Sequence, residues 1–326
     1  MAKKIISIAV SLGILAVIYH GLDWRAIFTV IADSHAGWLV AGLFLLVPTL
    51  LLTAARLALI CPADLDLRFA EALGLTLFAG VLNMVLPSKM GDVVKAAFIQ
   101  THDARHSTLS LSLVVFEKAL DVLSLLAWCC LGLFFYKRRD FLFIALTGLV
   151  VGLTFLTLVL LKSKHTGNWL NWLIARLPVS KIRHKLFDIQ ASWSVMQGAF
   201  WGHPAVWLRS LVISLLIWFL HLLQIWIFIL ALGRVCPFLE CMGLAALAIF
   251  AGLLPFTLAG IGTRDAAIIF LFRDYLPKES GAALGLLCTL RYLLPAIAGL
   301  PTIQRYMGLL PGGLGRAKNN QAGKIS

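Results

Sequence analysis

Apolar runs long enough to cross a membrane alternate with short polar segments along most of the chain. About six runs have the length of a full span, and none alternates strictly between apolar and polar residues. The runs predict helices, because in lipid only helices and closed barrels satisfy every backbone hydrogen bond. The predicted spans are Ile5–His20, Gly37–Ile60, Leu109–Tyr136, Phe141–Leu161, Ala205–Leu232 and Gly281 to about Tyr306.

Two further apolar segments are each broken and then followed by a short second arm. The first extends over about 70–99 with a break at Pro87, and the second over about 241–274 with a glycine-rich break before Thr263. Each second arm has about ten residues, or about 15 Å of helix, which is half of a hydrocarbon core of about 30 Å. We therefore predict two re-entrant helical hairpins.

The two predicted hairpins share a short sequence pattern. Residues 79–82 are Ala-Gly-Val-Leu and residues 251–254 are Ala-Gly-Leu-Leu, and each is followed at the same distance by a leucine. An odd number of predicted spans separates the hairpins, so the second would enter from the opposite side of the membrane. Such an inverted repeat places a binding site near the bilayer midplane. The predicted fold is a single all-α polytopic membrane domain over residues 1–326.

Composition and charge fit this fold and set its orientation. Hydrophobic residues make up 60% of the chain and charged residues only 13%, which excludes an ordinary soluble domain. The net charge of +13 lies mostly in connecting segments, including an amphipathic segment at about 165–204. By the positive-inside rule we expect this segment and both termini to be cytoplasmic, in a bacterial plasma (inner) membrane. Anionic lipid is then the expected contact of the basic face, and nucleic acid is not.

Three charged residues lie within one predicted span. Glu117, Lys118 and Asp121 fall inside the run Leu109–Tyr136, where each unpaired charge costs at least about 2.5 kcal/mol. Glu117 and Asp121 share a helix face and would repel each other, so a cation must come from another helix or from a ligand. We expect Arg291, in the last span, to supply it. The residues alone leave two roles open: a polar functional centre, or ion pairs that only fix helix packing.

Polar residues also gather at the two hairpin breaks. Short helices begin there, and a helix N-terminus with a nearby Lys or Arg favours phosphate or carboxylate groups. We therefore add these residues to the candidate headgroup site, although Ser88 and Thr263 would also serve simply as helix caps. The candidates at the breaks are Asn83, Ser88, Lys89, Asp92 and Lys95 at the first and Thr263, Arg264 and Asp265 at the second.

No catalytic or cofactor motif is found. The chain has no Walker loop, no dinucleotide-binding glycine pattern, no zinc-protease motif and no nucleophile elbow. Its six cysteines show no metal-binding spacing, and whether Cys236 and Cys241 pair is left open. His221 and Gln224 are expected to form hydrogen bonds between helices. We expect neither a metal, a cofactor nor an enzyme, and the oligomeric state is left open.

Three motifs together resemble a known family. They are NMVLPSKMGD at Asn83–Asp92, EKALD at Glu117–Asp121 and LAGIGTRD at Leu258–Asp265. In this order, on membrane runs that cover nearly the whole chain, they resemble the lysylphosphatidylglycerol synthase transmembrane, flippase-type family. That family usually has Arg where this chain has Lys118 and often Glu where it has Asp265, and Lys cannot make the two-pronged contact of Arg.

The resemblance implies two inverted re-entrant hairpins and the movement of a lipid between leaflets. We do not carry over synthase activity, which belongs to a soluble domain fused to some members. The leading hypothesis is a lipid translocase for an anionic phospholipid, a glycolipid or a hopanoid, in which Lys89 and Arg264 receive the headgroup. The alternatives are a secondary transporter of a small solute that uses the intramembrane carboxylates and, third, a lipid-modifying enzyme.

Overall fold

The computed structural model describes residues 24–61, 65, 67–85, 91–102, 107–135, 141–162, 176, 198, 202, 204–253 and 262–307. Within these ranges the chain forms twelve helices and no strand. They are α1 Trp24–Ala32, α2 Ala36–Phe44, α3 Leu46–Ile60, α4 Phe69–Val85, α5 Val93–His102, α6 Ser107–Phe135, α7 Phe141–Lys162, α8 Pro204–Ala231, α9 Phe238–Leu253, α10 Thr263–Leu271, α11 Lys278–Gly299 and α12 Thr302–Tyr306.

Four stretches of the described chain are long and apolar enough to cross a membrane. They are Ala36–Ile60 in α2 and α3, Ser110–Phe135 in α6, Pro204–Ala231 in α8 and Lys278–Gly299 in α11. Each lies within a few residues of a predicted span, and α7 occupies the position of a fifth. The expected first span, Ile5–His20, lies outside the described residues. In the part of the chain that the structure describes, the protein is an all-helical membrane protein.

The span Ala36–Ile60 contains a break between its two helices at Leu45. Pro48, in the first turn of α3, has no N–H and cannot bond to the carbonyl of Phe44 as a continuous helix would require. One turn earlier, the carbonyl of Gly42 accepts a 2.7 Å hydrogen bond from Gln224 Nε2 on α8. Gln224 therefore joins two helices, as predicted.

The segments predicted as hairpins each form one longer and one shorter helix. α4 and α5 have 17 and 10 residues, and α9 and α10 have 16 and 9. Residues 86–90 and 254–261, which connect the arms, lie outside the described residues. The short arm of each pair packs on the helix that follows it, α5 on α6 and α10 on α11. The long arms cross over, because α4 packs on α11 and α9 packs on α6.

Glycines allow both crossing contacts to be close. A Cβ added at Gly132 of α6 would lie 2.2 Å from the Cα of Gly243 on α9. A Cβ added at Gly299, at the end of α11, would lie 2.6 Å from the carbonyl oxygen of Leu77 on α4. Small residues of this kind let helix backbones approach in a membrane, where packing rather than water exclusion holds helices together.

The apolar surface is divided between a helix-packed interior and a lipid-facing exterior. The largest buried cluster includes residues of α6, α8, α9, α10 and α11, whereas Phe134, Phe141 and Phe155 are mostly exposed, as expected of side chains in contact with lipid. Cys236 and Cys241 are free thiols. Apart from isolated positions, the amphipathic segment predicted at 165–204 lies outside the described residues.

Candidate functional site

Arg56, on α3, joins the two carboxylates that face the same side of α6. Its Nη2 donates to Glu117 Oε1 at 2.8 Å, and its Nη1 donates to Asp121 Oδ1 at 2.6 Å and to Ser214 Oγ at 2.7 Å. Arg56 is 2% exposed. The planar guanidinium reaches two acids four residues apart, so the repulsion between them is replaced by charge-assisted hydrogen bonds.

Two lysines complete the arrangement. Lys95 Nζ lies 2.8 Å from Glu117 Oε1 and 3.0 Å from Asp92 Oδ1. Lys118 Nζ lies 2.5 Å from Asp92 Oδ2 and 3.6 Å from Asp121 Oδ2. Six charges therefore alternate in sign around a closed ring, here named the charge ring. In order, its members are Arg56, Glu117, Lys95, Asp92, Lys118 and Asp121.

The charge ring is neutral as a whole. Each of its three carboxylates contacts two of its three cations, which offsets the cost of placing charges among apolar helices. Removing one member of a buried ion pair costs about 3–5 kcal/mol, yet apolar residues of the same volume often give an equally stable protein. Stability alone therefore does not explain why the chain has six charges here.

One side of the charge ring borders a cavity of about 210 Å³. The side chains of Lys118 and Asp121 are 44% and 17% exposed, whereas those of Arg56, Lys95 and Glu117 are each 2% exposed. Trp218 on α8 also lines the cavity and donates from Nε1 to Asp121 Oδ1 at 3.2 Å. All six ring members line it, with Thr49, Thr53, Thr76, Gly80, Asn83, His221, Arg291, Tyr292 and several apolar residues.

Arg291 lines the same cavity from α11. Its Nη1 donates to the carbonyl of His221 at 3.2 Å and its Nη2 donates to the hydroxyl of Tyr292 at 2.9 Å, while the guanidinium lies 5.0 Å from the centre of the Tyr292 ring. Arg291 is 2% exposed. Within the described part of the chain it pairs with no carboxylate, so the expectation that it neutralises Glu117 or Asp121 is wrong.

Asn83 holds the two arms of the first hairpin together. Its Oδ1 accepts a 2.8 Å hydrogen bond from the backbone N–H of Gly91, which immediately precedes Asp92. A Cβ added at Gly91 would lie 2.4 Å from the carbonyl oxygen of Ala79, so only glycine fits here. Asn83 thus fixes the start of α5, from which Asp92 and Lys95 reach the charge ring.

The charged residues at the second hairpin form a closed site, and the Arg264 guanidinium lies 5.6 Å from the centre of the ring of Tyr292, which lines the cavity. Arg264 Nε and Nη2 donate to Asp265 Oδ1 at 3.1 and 2.7 Å, and Nη2 also donates to Thr289 Oγ1 at 2.8 Å. On α11, the backbone carbonyl of Cys288 accepts a hydrogen bond from Nη1, and the backbone carbonyl of Gly285 accepts one from Nη2. Every nitrogen of this guanidinium therefore has an acceptor within the protein.

The same pair also caps α10. Asp265 Oδ2 accepts the backbone N–H of Gly262 at 3.0 Å, and Gly262 has φ +99°, which favours glycine. A Cβ at Gly285 would lie 3.0 Å from Asp265 Oδ1, so that glycine makes room for the carboxylate. The arrangement ties the start of α10 to α11. Thr263 begins α10, as predicted from the sequence.

The predicted site residues therefore divide into three sets. One set lines the cavity, a second forms the closed pair with Thr263 beside it, and Ser88 and Lys89 lie outside the described residues. Those at the cavity are Asn83, Asp92, Lys95, Glu117, Lys118, Asp121 and Arg291. Those away from it are Thr263, Arg264 and Asp265.

Arg56 and Trp218 were not among the predicted site residues. A signal for Arg56 exists in the sequence, since it is a single cation inside the run Gly37–Ile60, and an ionisable residue in a span is a functional candidate by default. Trp218 gives no such signal, because it is one of many aromatic residues in α8. Among the described residues, no group of His, Cys, Asp and Glu is arranged to hold a metal ion.

Comparison with known proteins places this chain in a family of membrane domains. The family model described as Lysylphosphatidylglycerol synthase TM region matches residues 4–299. No curated protein matches the chain significantly.

Proposed function

The chain belongs to the Lysylphosphatidylglycerol synthase TM region family, and from this membership and the charge ring we propose that it moves a polar-headgroup lipid between the two leaflets of a membrane. The lipid is an anionic phospholipid, a glycolipid or a hopanoid. The ring and the cavity beside it form the hydrophilic part of the path, while the acyl chains stay in the surrounding lipid.

The observation that carries the proposal is a charge-lined cavity bounded by apolar helices of membrane-spanning length. A headgroup that enters it exchanges hydration for hydrogen bonds to fixed charges, which lowers the cost of crossing the hydrocarbon core. Its volume of about 210 Å³ is below the roughly 300–1,000 Å³ of pockets that enclose drug-sized ligands. The cavity is therefore large enough for a headgroup but not for a whole lipid, so the acyl chains would remain in the surrounding membrane.

The unequal exposure of the ring favours a functional role over ion pairs that only fix packing. A purely structural cluster would be closed on all sides, as the Arg264 and Asp265 pair is. In the charge ring, Lys118 and Asp121 are instead partly exposed, and both residues line the cavity. Polar groups placed this way can exchange partners with a ligand without unfolding the helices around them.

We also propose that the two helix pairs are re-entrant hairpins related by an inverted repeat. Two features support this proposal. The short arms are about 15 Å long, which is too short to cross a hydrocarbon core of about 30 Å. In addition, each long arm packs on the helix that follows the other hairpin. The cavity is lined by α3, α4, α5 and α6 from one repeat and by α8 and α11 from the other, as expected for transporters with a site between repeats. The membrane would be the bacterial inner membrane, with both termini cytoplasmic.

The test is lipid movement in vesicles that contain only the purified chain. Fluorescent lipids with anionic, zwitterionic, sugar and hopanoid headgroups are placed in both leaflets, and the outer-leaflet fraction is followed by chemical quenching. We expect faster movement of at least one class than in protein-free vesicles. Asp121→Asn should slow it, because the variant removes a ring carboxylate that borders the cavity. Glu71→Gln is the matched control, since Glu71 pairs with exposed Arg305 outside the cavity.

If no lipid in the panel moves faster with the protein, the proposal is wrong. Uptake of a small solute driven by an imposed pH gradient, and lost in Asp121→Asn, would then favour the secondary transporter. A new product formed from lipid and a donor would instead indicate an enzyme.

A further inference from the structure

Among the described residues that line the cavity, positive charges outnumber negative charges by one. The charge ring contributes three cations and three carboxylates, and Arg291 adds a fourth cation. With His221 neutral, these described residues have a net charge of one positive. The surplus charge lies on Arg291, which has no carboxylate partner within the described chain.

The hydrogen bonds of Arg291 leave capacity for an anion. Its two hydrogen-bond partners, the His221 carbonyl and the Tyr292 hydroxyl, are neutral, and its buried Nε has no acceptor among the described residues. Arg56 Nε also lacks an acceptor, but Arg56 contacts two carboxylates and Arg291 contacts none. A guanidinium matches the oxygens of a phosphate group with paired hydrogen bonds.

The carboxylates of the ring make the cavity a poor site for a cationic headgroup. Glu117 is held by Arg56 and Lys95, Asp92 by Lys95 and Lys118, and Asp121 by Arg56 and Lys118. An ammonium group that approached any of these carboxylates would be repelled by the two cations already in contact with it.

From these observations we propose that the cavity selects an anionic headgroup, a phosphodiester without an ammonium group, and that Arg291 receives its phosphate. This rests on the proposed function and deepens it, because it names the substrate class and the residue that recognises it. Lys118, which has an exposed part beside the cavity, is the second donor.

The proposal is tested by binding, independently of transport. The full chain is purified in detergent and titrated with short-chain phosphatidylglycerol (one negative charge), phosphatidylcholine (neutral) and a lysyl ester of phosphatidylglycerol (net positive). The variants are Arg291→Gln, Arg291→Lys and, as a control, Arg305→Gln, whose side chain is exposed. Thermal melting checks that each variant is folded, and Arg291→Lys tests the charge if Arg291→Gln fails to fold.

We expect wild type to bind the anionic lipid at least about tenfold more tightly than the other two, the size of effect that loss of a charge-assisted hydrogen bond produces. Arg291→Gln should lose this preference, Arg291→Lys should keep most of it, and Arg305→Gln should match wild type. Soluble glycerophosphoglycerol is the competitor that separates lipid from solute. If glycerophosphoglycerol competes only weakly, the result supports a lipid substrate. If it binds as tightly as the lipid does, the assignment of a lipid substrate is overturned.

Equal binding of all three lipids, a preference for the lysyl ester, or an unchanged preference in Arg291→Gln would each overturn the inference. The proposed function has a separate readout, because lipid movement in vesicles is measured on wild type with the full headgroup panel. Movement without charge selectivity would leave the translocase standing and refute only the role given to Arg291.

Discussion

The charge ring at the first hairpin and the Arg264–Asp265 pair at the second show two ways of placing charges inside a membrane domain. At the second hairpin, neighbours in the sequence neutralise each other, and carbonyls of α11 accept the remaining guanidinium N–H groups. At the first, the charges come from α3, α5 and α6, and part of the ring borders a cavity. Each arrangement joins its hairpin to the rest of the protein.

The difference shows that buried charge does not by itself identify a functional site. Arg264 is as buried as Arg291, at 2% exposed, but the donors of Arg264 are used within the protein and its charge is matched by Asp265. Arg291 lies beside a cavity with no matching carboxylate in the described chain. The useful distinction is therefore whether the charge is compensated and whether it borders open space.

The largest effect on stability is expected from Arg56→Met. This change leaves the negative charges of Glu117 and Asp121 close together and less well neutralised. Because removing one partner of a buried ion pair costs about 3–5 kcal/mol, we expect a loss of stability of that size. Arg56→Lys keeps the charge but cannot bridge both acids as well, so it should lie between wild type and Arg56→Met. Thermal unfolding in detergent measures both. Wild-type stability in Arg56→Met would show that the ring does not hold α3 to α6.

A smaller loss is expected from Arg264→Met. Asp265 then loses its cation but keeps the hydrogen bond from Gly262, and one carboxylate is affected instead of two, so the cost should lie near the lower end of the range of about 3–5 kcal/mol for breaking a buried ion pair from one side. Because the pair does not line the cavity, lipid movement per folded molecule should stay at the wild-type level. A changed headgroup preference in this variant would contradict the division into a closed site and a cavity site.

The spans and the first half of the site could be predicted from the sequence because their signals are local. Run length predicts the spans, and Glu117, Lys118 and Asp121 stand out in an apolar run. The partner of Glu117 and Asp121 could not be derived, since Arg56 is 61 and 65 positions away from them and only the packing of α3 on the bundle brings it near.

The expectation for the second hairpin assumed that the charges at a helix start face a ligand. The structure turns Arg264 towards α11, where Gly285 leaves room for Asp265 and backbone carbonyls accept the guanidinium. Those contacts depend on the register between α10 and α11, and no local pattern in the sequence gives that register. The role given to Lys89 stays a prediction, because Lys89 lies outside the described residues.

The smallest effect on stability is expected from Lys118→Gln. The Lys118 side chain is 44% exposed, and without it Asp92 and Asp121 keep their contacts with Lys95 and Arg56, so the loss should be smaller than for Arg56→Met or Arg264→Met. Lipid movement should nevertheless fall by about tenfold if Lys118 donates a charge-assisted hydrogen bond to the headgroup. Lys118→Arg, which keeps the charge, should retain movement. Parallel losses of stability and movement would instead assign Lys118 a structural role.

The central claim, that lipid headgroups pass through the cavity, is tested most directly by filling it. Gly80 lines the cavity, and a Cβ added there meets no atom within 4 Å. Gly148, on the exposed face of α7, has equally open space and is the matched control. Lipid movement in vesicles is compared for wild type, Gly80→Leu and Gly148→Leu. We predict that Gly80→Leu stops movement while the protein stays folded and that Gly148→Leu moves lipid as wild type does. Equal movement in all three would contradict a path through this cavity.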